Sequence, residues 1–151
     1  MGYFKKIIFN NYRNFNSKCF DFEKGCNVIY GNNGTGKTNI LEGISLFEKG
    51  RGFRKEKIIN LINTNALSYN FFINSQFIDK GNEILADVNN SNNLKKILIN
   101  NNSDVESIRH FESLFSLIYF LPEMERLFIT SPTNRRNFLD RLIFNFDKSY
   151  N

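Results

Sequence analysis

An eight-residue glycine-rich segment, Gly31 to Thr38, constrains this chain more than any other feature. It reads Gly-Asn-Asn-Gly-Thr-Gly-Lys-Thr and fits the pattern G-x-x-x-x-G-K-[ST]. The apolar segment Cys26 to Tyr30 precedes it, and from Lys37 to Phe47 apolar residues recur at spacings of three and four. A strand, a tight loop and a helix are therefore predicted in that order, which is the context in which this pattern wraps a phosphate.

Each position of the segment has a physical use at a polyphosphate. Glycines allow main-chain angles and a close approach that a Cβ atom would block, and the N-terminus of the following helix directs N–H groups and a positive dipole end at an anion. Lys37 adds a charge at the β- and γ-phosphates, and the Thr38 hydroxyl is placed to coordinate Mg²⁺. The predicted phosphate-binding residues are Gly31, Asn32, Asn33, Gly34, Thr35, Gly36, Lys37 and Thr38.

The composition is that of an ordinary folded chain. Its 151 residues correspond to about one domain, and 17 Phe with 6 Tyr supply apolar mass for a core. No apolar run reaches the ~20 residues of a membrane span, and the N-terminus lacks a signal-peptide pattern, so we expect a soluble cytoplasmic protein without a membrane partner. In that compartment Cys19 and Cys26 are expected to be buried free thiols, and the net charge of +5 favours polyanions.

Residue patterns predict secondary structure along the whole chain. Strands are expected over Tyr3 to Phe9, Lys18 to Phe22 and Cys26 to Tyr30, the last buried on both faces. The helix from Lys37 to Phe47 is expected to bury a stripe of Ile40, Leu41, Ile44 and Phe47. Further on we predict a helical turn at Lys57 to Ile62, an antiparallel meander of three strands within Ser68 to Asn100 with turns at Asp79–Asn82 and Asn89–Asn93, a helix over Ser107 to Phe115, a buried strand over Leu117 to Leu121 and a helix over Pro132 to Phe146.

Hydrolysis needs an acidic residue at the end of a second buried strand, and the sequence offers no convincing one. Asp87 falls within the predicted meander, Glu123 follows Pro122, and Asp147 follows a predicted helix. The chain also lacks the N-K-x-D motif by which GTPases bind their base. A small P-loop kinase stays an alternative, because its acceptor site has no short signature.

Five blocks of the sequence resemble the N-terminal part of the RecF family. They are Asn11 to Phe15, the glycine-rich segment continuing through Asn39 to Ile44, Gly52 to Arg54, Phe120 to Glu123, and Ser131 to Asp140 with the paired Arg135 and Arg136. The order and spacing of the blocks also fit, although Tyr12 and Phe15 exchange the aromatic order usual in that family and Gly52 stands where Ser is common.

The resemblance implies an α/β P-loop NTPase fold of the ABC-ATPase type, similar to the head domains of SMC proteins. Residues 1–151 would be the N-terminal portion of that head, with lobe I, the start of lobe II, a mixed sheet, an antiparallel meander and flanking helices. The Walker B strand and the signature motif of the family are absent from this sequence. We therefore expect a head that is incomplete at its C-terminus and that binds ATP without efficient hydrolysis by itself.

The family's function, as implied by the resemblance, is recombinational DNA repair and replication. ATP with Mg²⁺ drives dimerisation on single-stranded or gapped DNA, slow hydrolysis dissolves the dimer, and RecO and RecR act with the protein in recombinase loading and the SOS response. Besides the RecF-type role and the kinase, a third function class stays open, a non-catalytic remnant without nucleotide function.

Several residues outside the loop are weaker candidates. Arg13 stands where related heads bring a basic residue to the nucleotide, and a solvated arginine is the competing interpretation. A basic cluster of Arg51, Arg54, Lys55 and Lys57 is a candidate for DNA phosphate contacts or for a solvated loop. Gln76 is the only glutamine, and no metal-sensing role is assigned to it.

Overall fold

A computed structural model describes residues 2–122 and 132–146 of the chain. The chain consists of two compact units, Met1–Phe115 and Ser116–Asn151. Among the described residues, the first unit contains a five-stranded sheet and two α-helices, and the second contains one α-helix. No helix within the described ranges is long and apolar enough to cross a membrane.

The sheet of the first unit is antiparallel throughout. Its strands lie in the order β2-β1-β3-β4-β5, with β1 (Tyr3–Tyr12), β2 (Phe15–Asp21), β3 (Phe72–Asp79), β4 (Asn82–Ser91) and β5 (Leu94–Ile99). Strands β3 to β5 confirm the predicted meander. Their two-residue turns, Lys80-Gly81 and Asn92-Asn93, have positive φ at both residues, which a type I′ hairpin turn requires.

The helices agree with the predicted positions to within two residues. They are α1 (Lys37–Ser45), α2 (Val105–Ser113) and α3 (Pro132–Phe146), and a 3-10 turn covers Ile58–Leu61. At the start of α2 the Asp104 carboxylate accepts a hydrogen bond of 2.8 Å from the Ser107 N–H, which supplies a partner that the first turn of a helix lacks. Helix α2 therefore begins two residues before the predicted position, at the residue after this cap.

An aromatic core fills one face of the sheet. Phe9 of β1, Phe77 of β3 and Phe111 of α2 are each at most 1% exposed, and the Phe77 and Phe111 rings meet edge to face with centroids 5.2 Å apart. Helix α1 comes close to β1 because Gly43 has no side chain: an added Cβ would lie 2.3 Å from a ring carbon of Phe9. At the other end of α1, Gly36 lies against Asn14 and Phe15, so the N-terminus of the helix is beside the turn between β1 and β2.

The predicted strand from Cys26 to Tyr30 is wrong for the described structure. The segment forms no strand, and Val28 and Tyr30 are 79% and 90% exposed rather than buried. A strand exists only through hydrogen bonds to a neighbouring strand, and no strand in the described ranges pairs with this segment. The parallel part of the expected mixed sheet is therefore not seen within those ranges.

The predicted strand from Leu117 to Leu121 is also wrong. These five residues form no strand, and Ile118 and Phe120 are exposed. An apolar run becomes a strand only where a neighbouring strand pairs with it, and none of the five strands of the described sheet includes these residues.

Two predictions about burial need correction. Cys19 and Cys26 are free, as expected, but both are exposed, because Cys19 lies on the edge strand β2 and Cys26 on the uncovered segment before the glycine-rich loop. Of the predicted stripe, Ile40 of α1 and Phe47 just after it are buried and Ile44 is half-buried, but Leu41 is 51% exposed. The packed face of α1 is rotated towards Glu42, Gly43 and Ser45, which are all buried.

Candidate functional site

The glycine-rich segment forms an exposed loop that ends at α1. Gly31, Gly34 and Gly36 have φ values of 149°, 83° and 99°, in the range that glycine adopts without a steric cost. Within the loop the Thr35 hydroxyl donates to the carbonyl of Asn32 at 2.9 Å. The loop residues 31–35 are exposed, so the loop presents its main chain to whatever binds there.

A cavity of about 320 Å³ lies at the N-terminus of α1. No side chain caps this end of the helix, so N–H groups of its first turn have no partner within the helix and carry the positive end of the dipole. The cavity therefore suits an anion with several oxygen atoms. Its lining residues are Asn33, Gly34, Gly36, Lys37, Thr38, Asn39 and Arg54.

The side chain of Lys37 reaches back across the loop. Its Nζ donates to the carbonyl of Gly31 at 2.6 Å and to that of Asn32 at 2.8 Å. An ammonium group has three N–H donors, so one donor remains for a ligand. The structure thus places the predicted phosphate-binding lysine at the loop, with its charge held there by two backbone carbonyls.

Thr38 is the residue whose hydroxyl could contact a metal ion. It is exposed, lines the cavity, and forms no side-chain hydrogen bond with any described residue. No group of three His, Cys, Asp or Glu side chains within the described ranges could hold a metal ion. The Thr38 hydroxyl is an oxygen donor, the ligand type that a hard cation such as Mg²⁺ takes, and in phosphate sites Mg²⁺ is bound mainly by the substrate and water.

Arg13 lies beside the loop, in the turn between β1 and β2, with a φ of 52°. Its Nε and Nη2 donate to the two carboxylate oxygens of Glu42 at 2.9 and 2.7 Å, and its Nη1 donates to the carbonyl of Asn60 at 3.1 Å. Burial opposes the charge on Arg13, but the Glu42 carboxylate more than offsets this and raises the pKa of Arg13. The guanidinium is therefore fixed in one orientation.

Glu42 joins further side chains to this pair although it is 0% exposed. Its Oε2 also accepts from the Tyr12 hydroxyl at 3.3 Å and from Nη1 of Arg54 at 3.4 Å. The same Nη1 donates to Oδ1 of Asn39 at 3.1 Å. Burial, and secondly Glu42, raises the pKa of Tyr12, so its hydroxyl stays a donor.

A second cavity, of about 410 Å³, has mainly amide side chains in its wall. Two of them connect it to the loop: Asn14 donates to the carbonyl of Thr35 at 3.2 Å, and Asn39 donates to Oδ1 of Asn14 at 2.8 Å. Amides offer both donors and acceptors, so the wall suits a polar group next to the phosphate cavity. Its lining residues are Arg13, Asn14, Asn16, Asn39, Asn60, Ile62, Asn63, Thr64 and Asn65.

Two residues of the site, Glu42 and Asn14, are not among those predicted from the sequence. Both stand in the blocks that resemble the RecF family, which is the signal that could have identified them. Helical periodicity could not, because a glutamate beside apolar residues in a helix is typically assigned to the solvent face.

The remaining candidates lie away from the loop or outside the described residues. Asp87 of β4 accepts a hydrogen bond of 2.9 Å from Asn74, Gln76 lies on β3, and neither lines either cavity. Glu123 and Asp147 lie outside the described residues. Of the basic cluster, Arg51, Lys55 and Lys57 are exposed, and Arg54 belongs to the phosphate cavity.

Comparison with known sequences identifies a family and close relatives. The AAA domain family matches residues 6–148. The DNA replication and repair proteins RecF of Rickettsia typhi and Rickettsia prowazekii are both 33% identical to this chain, over 143 and 144 residues. These matches cover 93% and 95% of this chain but 38% and 39% of the relatives, so the chain spans about two fifths of their length.

Comparison of structures agrees with the sequences. A structure of the recombination mediator protein RecF-ATPrS in the RecFOR pathway matches 99% of this chain and 40% of its own, with a TM-score of 0.79 and 30% identity. The structure of RecF-ATP in the same pathway matches 99% of this chain and 41% of its own, with a TM-score of 0.78 and 30% identity. The SMC head domain from Thermotoga maritima shares the fold, with a TM-score of 0.58 and 18% identity over 75% of this chain and 42% of its own.

The predicted fold class, an ABC-ATPase-type head, is thereby confirmed. The chain belongs to the AAA domain family, and its sequence and structure match the N-terminal part of RecF proteins.

Proposed function

We propose that this chain binds ATP together with Mg²⁺ at the Gly31–Thr38 loop. The observation that carries the proposal is a single cavity bounded by the glycine loop, the uncapped N-terminus of α1 and the Lys37 side chain. Matching structures of RecF with ATP or ATPrS support it. When bound, Mg²⁺ would neutralise phosphate charge, with Thr38 as its protein ligand.

Each of the predicted loop residues has a part in this proposal. Main-chain N–H groups over Asn32 to Gly36 would contact the phosphate oxygens, and Lys37 would place its remaining N–H donor on the β- and γ-phosphates. Arg13 borders the amide-lined cavity that adjoins the loop. At that cavity Arg13 would contact the nucleoside part of ATP, while Glu42 holds the Arg13 guanidinium in place.

The biological role that we propose is that of RecF proteins in recombinational DNA repair and replication. In the cytoplasm, ATP would promote a dimer on single-stranded or gapped DNA, and RecO and RecR would be the partners in recombinase loading and the SOS response. The relatives named as DNA replication and repair proteins and the net charge of +5 support this role. The exposed Arg51, Lys55 and Lys57 are the candidates for DNA phosphate contacts.

For this chain by itself we propose ATP binding without efficient hydrolysis. Neither cavity has an acidic side chain in its lining, and Glu42 is occupied by two arginines. Hydrolysis needs a carboxylate that orders the attacking water. The kinase alternative requires an acceptor site next to the phosphate cavity, and we assign the amide-lined cavity there to the nucleoside part of ATP.

Titration with a fluorescent ATP analogue in the presence of Mg²⁺ tests the proposal. Substituting Lys37→Ala removes the ammonium group from the loop, and we expect the affinity to fall at least about tenfold, which corresponds to one charge-assisted hydrogen bond. The matched control is Lys49→Ala, since Lys49 is exposed and lines neither cavity. The affinity of the Lys49→Ala variant for the ATP analogue should stay within about twofold of that of the unmodified chain.

The alternatives give different results in the same assay. A chain without nucleotide function would show no binding and no thermal shift, whereas a ligand at about 100 times its dissociation constant stabilises the native state by roughly 2.7 kcal/mol. Equal affinities for Lys37→Ala and the unmodified chain would contradict the role of Lys37. Transfer of phosphate from ATP to a small acceptor would favour the kinase.

A further inference from the structure

Glu42 is a buried charge at a place where burial is costly. It lies in the middle of α1 with no exposed surface, and removal of a carboxylate from water is offset only when several donors surround it. Four donors do so here: Nε and Nη2 of Arg13, the Tyr12 hydroxyl and Nη1 of Arg54. Because an apolar side chain is often as stable in such a position, the charge calls for an explanation beyond stability.

The two arginines that Glu42 holds belong to two different cavities. Arg13 lines the amide-rich cavity, and Arg54 lines the phosphate cavity. Glu42 lies on the helix that Lys37 and Thr38 begin, so its ion pairs hold both guanidinium groups at set positions relative to those two residues. The trio of two guanidinium groups and one carboxylate carries one net positive charge, which suits a polyanion.

Arg54 keeps donors available after this contact. Among the described residues only its Nη1 is engaged, with Asn39 and Glu42, and its side chain is 36% exposed. Arg13 differs, because all three of its nitrogens donate to Glu42 or Asn60. Arg13 also keeps a left-handed φ of 52°, a cost that persists only where the surroundings impose it.

We propose that Glu42 is a positioning residue, which orients Arg13 and Arg54 at the two cavities before a nucleoside triphosphate binds. The inference rests on the proposed ATP binding and adds a residue that does not touch the nucleotide. Without Glu42, nucleotide binding would have to order two long arginine side chains. The conformational entropy lost in ordering them would weaken the affinity for the nucleotide.

The sign of one change in affinity distinguishes positioning from simple electrostatics. Glu42→Gln removes a negative charge near a polyanion site, which by itself should strengthen ATP binding. If Glu42 orders the arginines, binding of the fluorescent ATP analogue to the full chain should instead weaken roughly tenfold. Circular dichroism of the variant, measured in parallel, confirms that the chain is folded.

Glu56→Gln is the matched control. Glu56 lies near Arg13 and Arg54 and influences both electrostatically, but its carboxylate accepts a hydrogen bond from Asn60 and forms no ion pair with either arginine. Removing its charge should leave the affinity unchanged or raise it up to about twofold. An equal loss of affinity in both variants would contradict a specific role for Glu42.

A nucleotide-independent measurement covers the case in which Glu42→Gln does not fold. In the unmodified chain without nucleotide, the Arg13 Nε–H should exchange with solvent at least about tenfold more slowly than that of exposed Arg51, as NMR of the arginine side chains would show.

Glu42→Asp, which keeps the charge and withdraws the carboxylate by one methylene, should also weaken ATP binding.

The outcomes separate this inference from the proposed function. No ATP binding by the unmodified chain would overturn both. ATP binding with unchanged or tighter affinity in folded Glu42→Gln, or equal exchange rates for Arg13 and Arg51, would overturn the positioning role alone.

Discussion

At the scale of the residue, one missing Cβ atom allows the phosphate loop to meet the sheet. Gly36 precedes α1 with a φ of 99°, and an added Cβ would lie 2.7 Å from both Oδ1 of Asn14 and Cζ of Phe15. Phe15 is buried and Asn14 donates to the loop carbonyl of Thr35, so neither neighbour moves without breaking other contacts. The loop, the turn after β1 and α1 therefore depend on one another at this point.

Gly36→Ala should lower the free energy of unfolding by about 3 kcal/mol, from backbone strain and overpacking together. The control is Gly81→Ala in the β3–β4 turn, where φ is 87° but nothing lies within 4 Å of the added atom, so that only strain of about 1 kcal/mol applies. Urea unfolding followed by circular dichroism measures both. Equal losses in the two variants would show that the clash at Gly36 is relieved without cost.

At the scale of the element, Lys95 attaches β5 to the end of α1. Its Nζ donates to the carbonyl of Leu46 at 2.9 Å and to the carbonyl of Glu48. Carbonyls that follow the last turn of a helix lack intrahelical partners, and an ammonium group there is also favoured by the helix dipole. Burial nevertheless lowers the pKa of Lys95 from 10.5 to about 8, although the charges of Glu112 and Glu48 act to raise it.

This pKa predicts how stability depends on pH. Below about pH 8 Lys95 is protonated in both folded and unfolded chains, and the folded chain bears the full cost of burying the charge. Between about 8 and 10.5 the unfolded chain binds more protons, so the contribution of this group to the free energy of unfolding rises with pH. We expect a rise on the order of 2 kcal/mol, after allowance for partial exposure of the side chain.

Lys95→Met should abolish that rise, because methionine has no proton to lose. The measurement is the free energy of unfolding in urea at several pH values from 7.5 to about 10.5, with the exposed neighbour as control in Lys96→Met. A pH dependence of Lys95→Met that equals that of the unmodified chain would assign the titration to another group.

In the whole molecule, as far as the structure describes it, the hydrophobic core and the two cavities belong to the first unit. Every buried residue of the hydrophobic cluster lies between Ile7 and Phe111, and both cavities are lined by residues between Arg13 and Asn65. A unit with its own core can fold by itself. The first unit therefore contains what the proposed ATP binding requires.

A chain shortened to residues 1–115 should unfold cooperatively and bind the fluorescent ATP analogue within about threefold of the full chain. The comparison is a chain shortened to residues 1–104, which loses Phe111 and its ring contacts with Phe4, Phe47 and Phe77. Loss of so large a buried side chain costs about 3–5 kcal/mol, so that form should unfold at a much lower temperature. Loss of cooperative unfolding in the 1–115 chain would show that the first unit depends on the second.

Features that depend on residues close together in the chain could be predicted from the amino-acid sequence. The phosphate loop follows from glycines, a lysine and a helix start within eight positions, and the hairpins follow from turn residues between alternating strands. These elements depend on main-chain angles and hydrogen bonds over a few residues, which is why pattern and structure agree there. The three α-helices were predictable for the same reason.

The tertiary structure decided which side chains meet and which segments are covered. Arg13, Glu42 and Arg54 are separated by 29 and 12 positions, and only the packing of α1 against β1 turns a helical glutamate into the buried centre of two ion pairs. The segment from Cys26 to Tyr30 has the composition of a buried strand, but four of its five residues are exposed and only Ile29 is partly buried. Both outcomes depend on long-range partners, because burial and strand pairing are set by what lies alongside a residue in space and not by its neighbours in the chain.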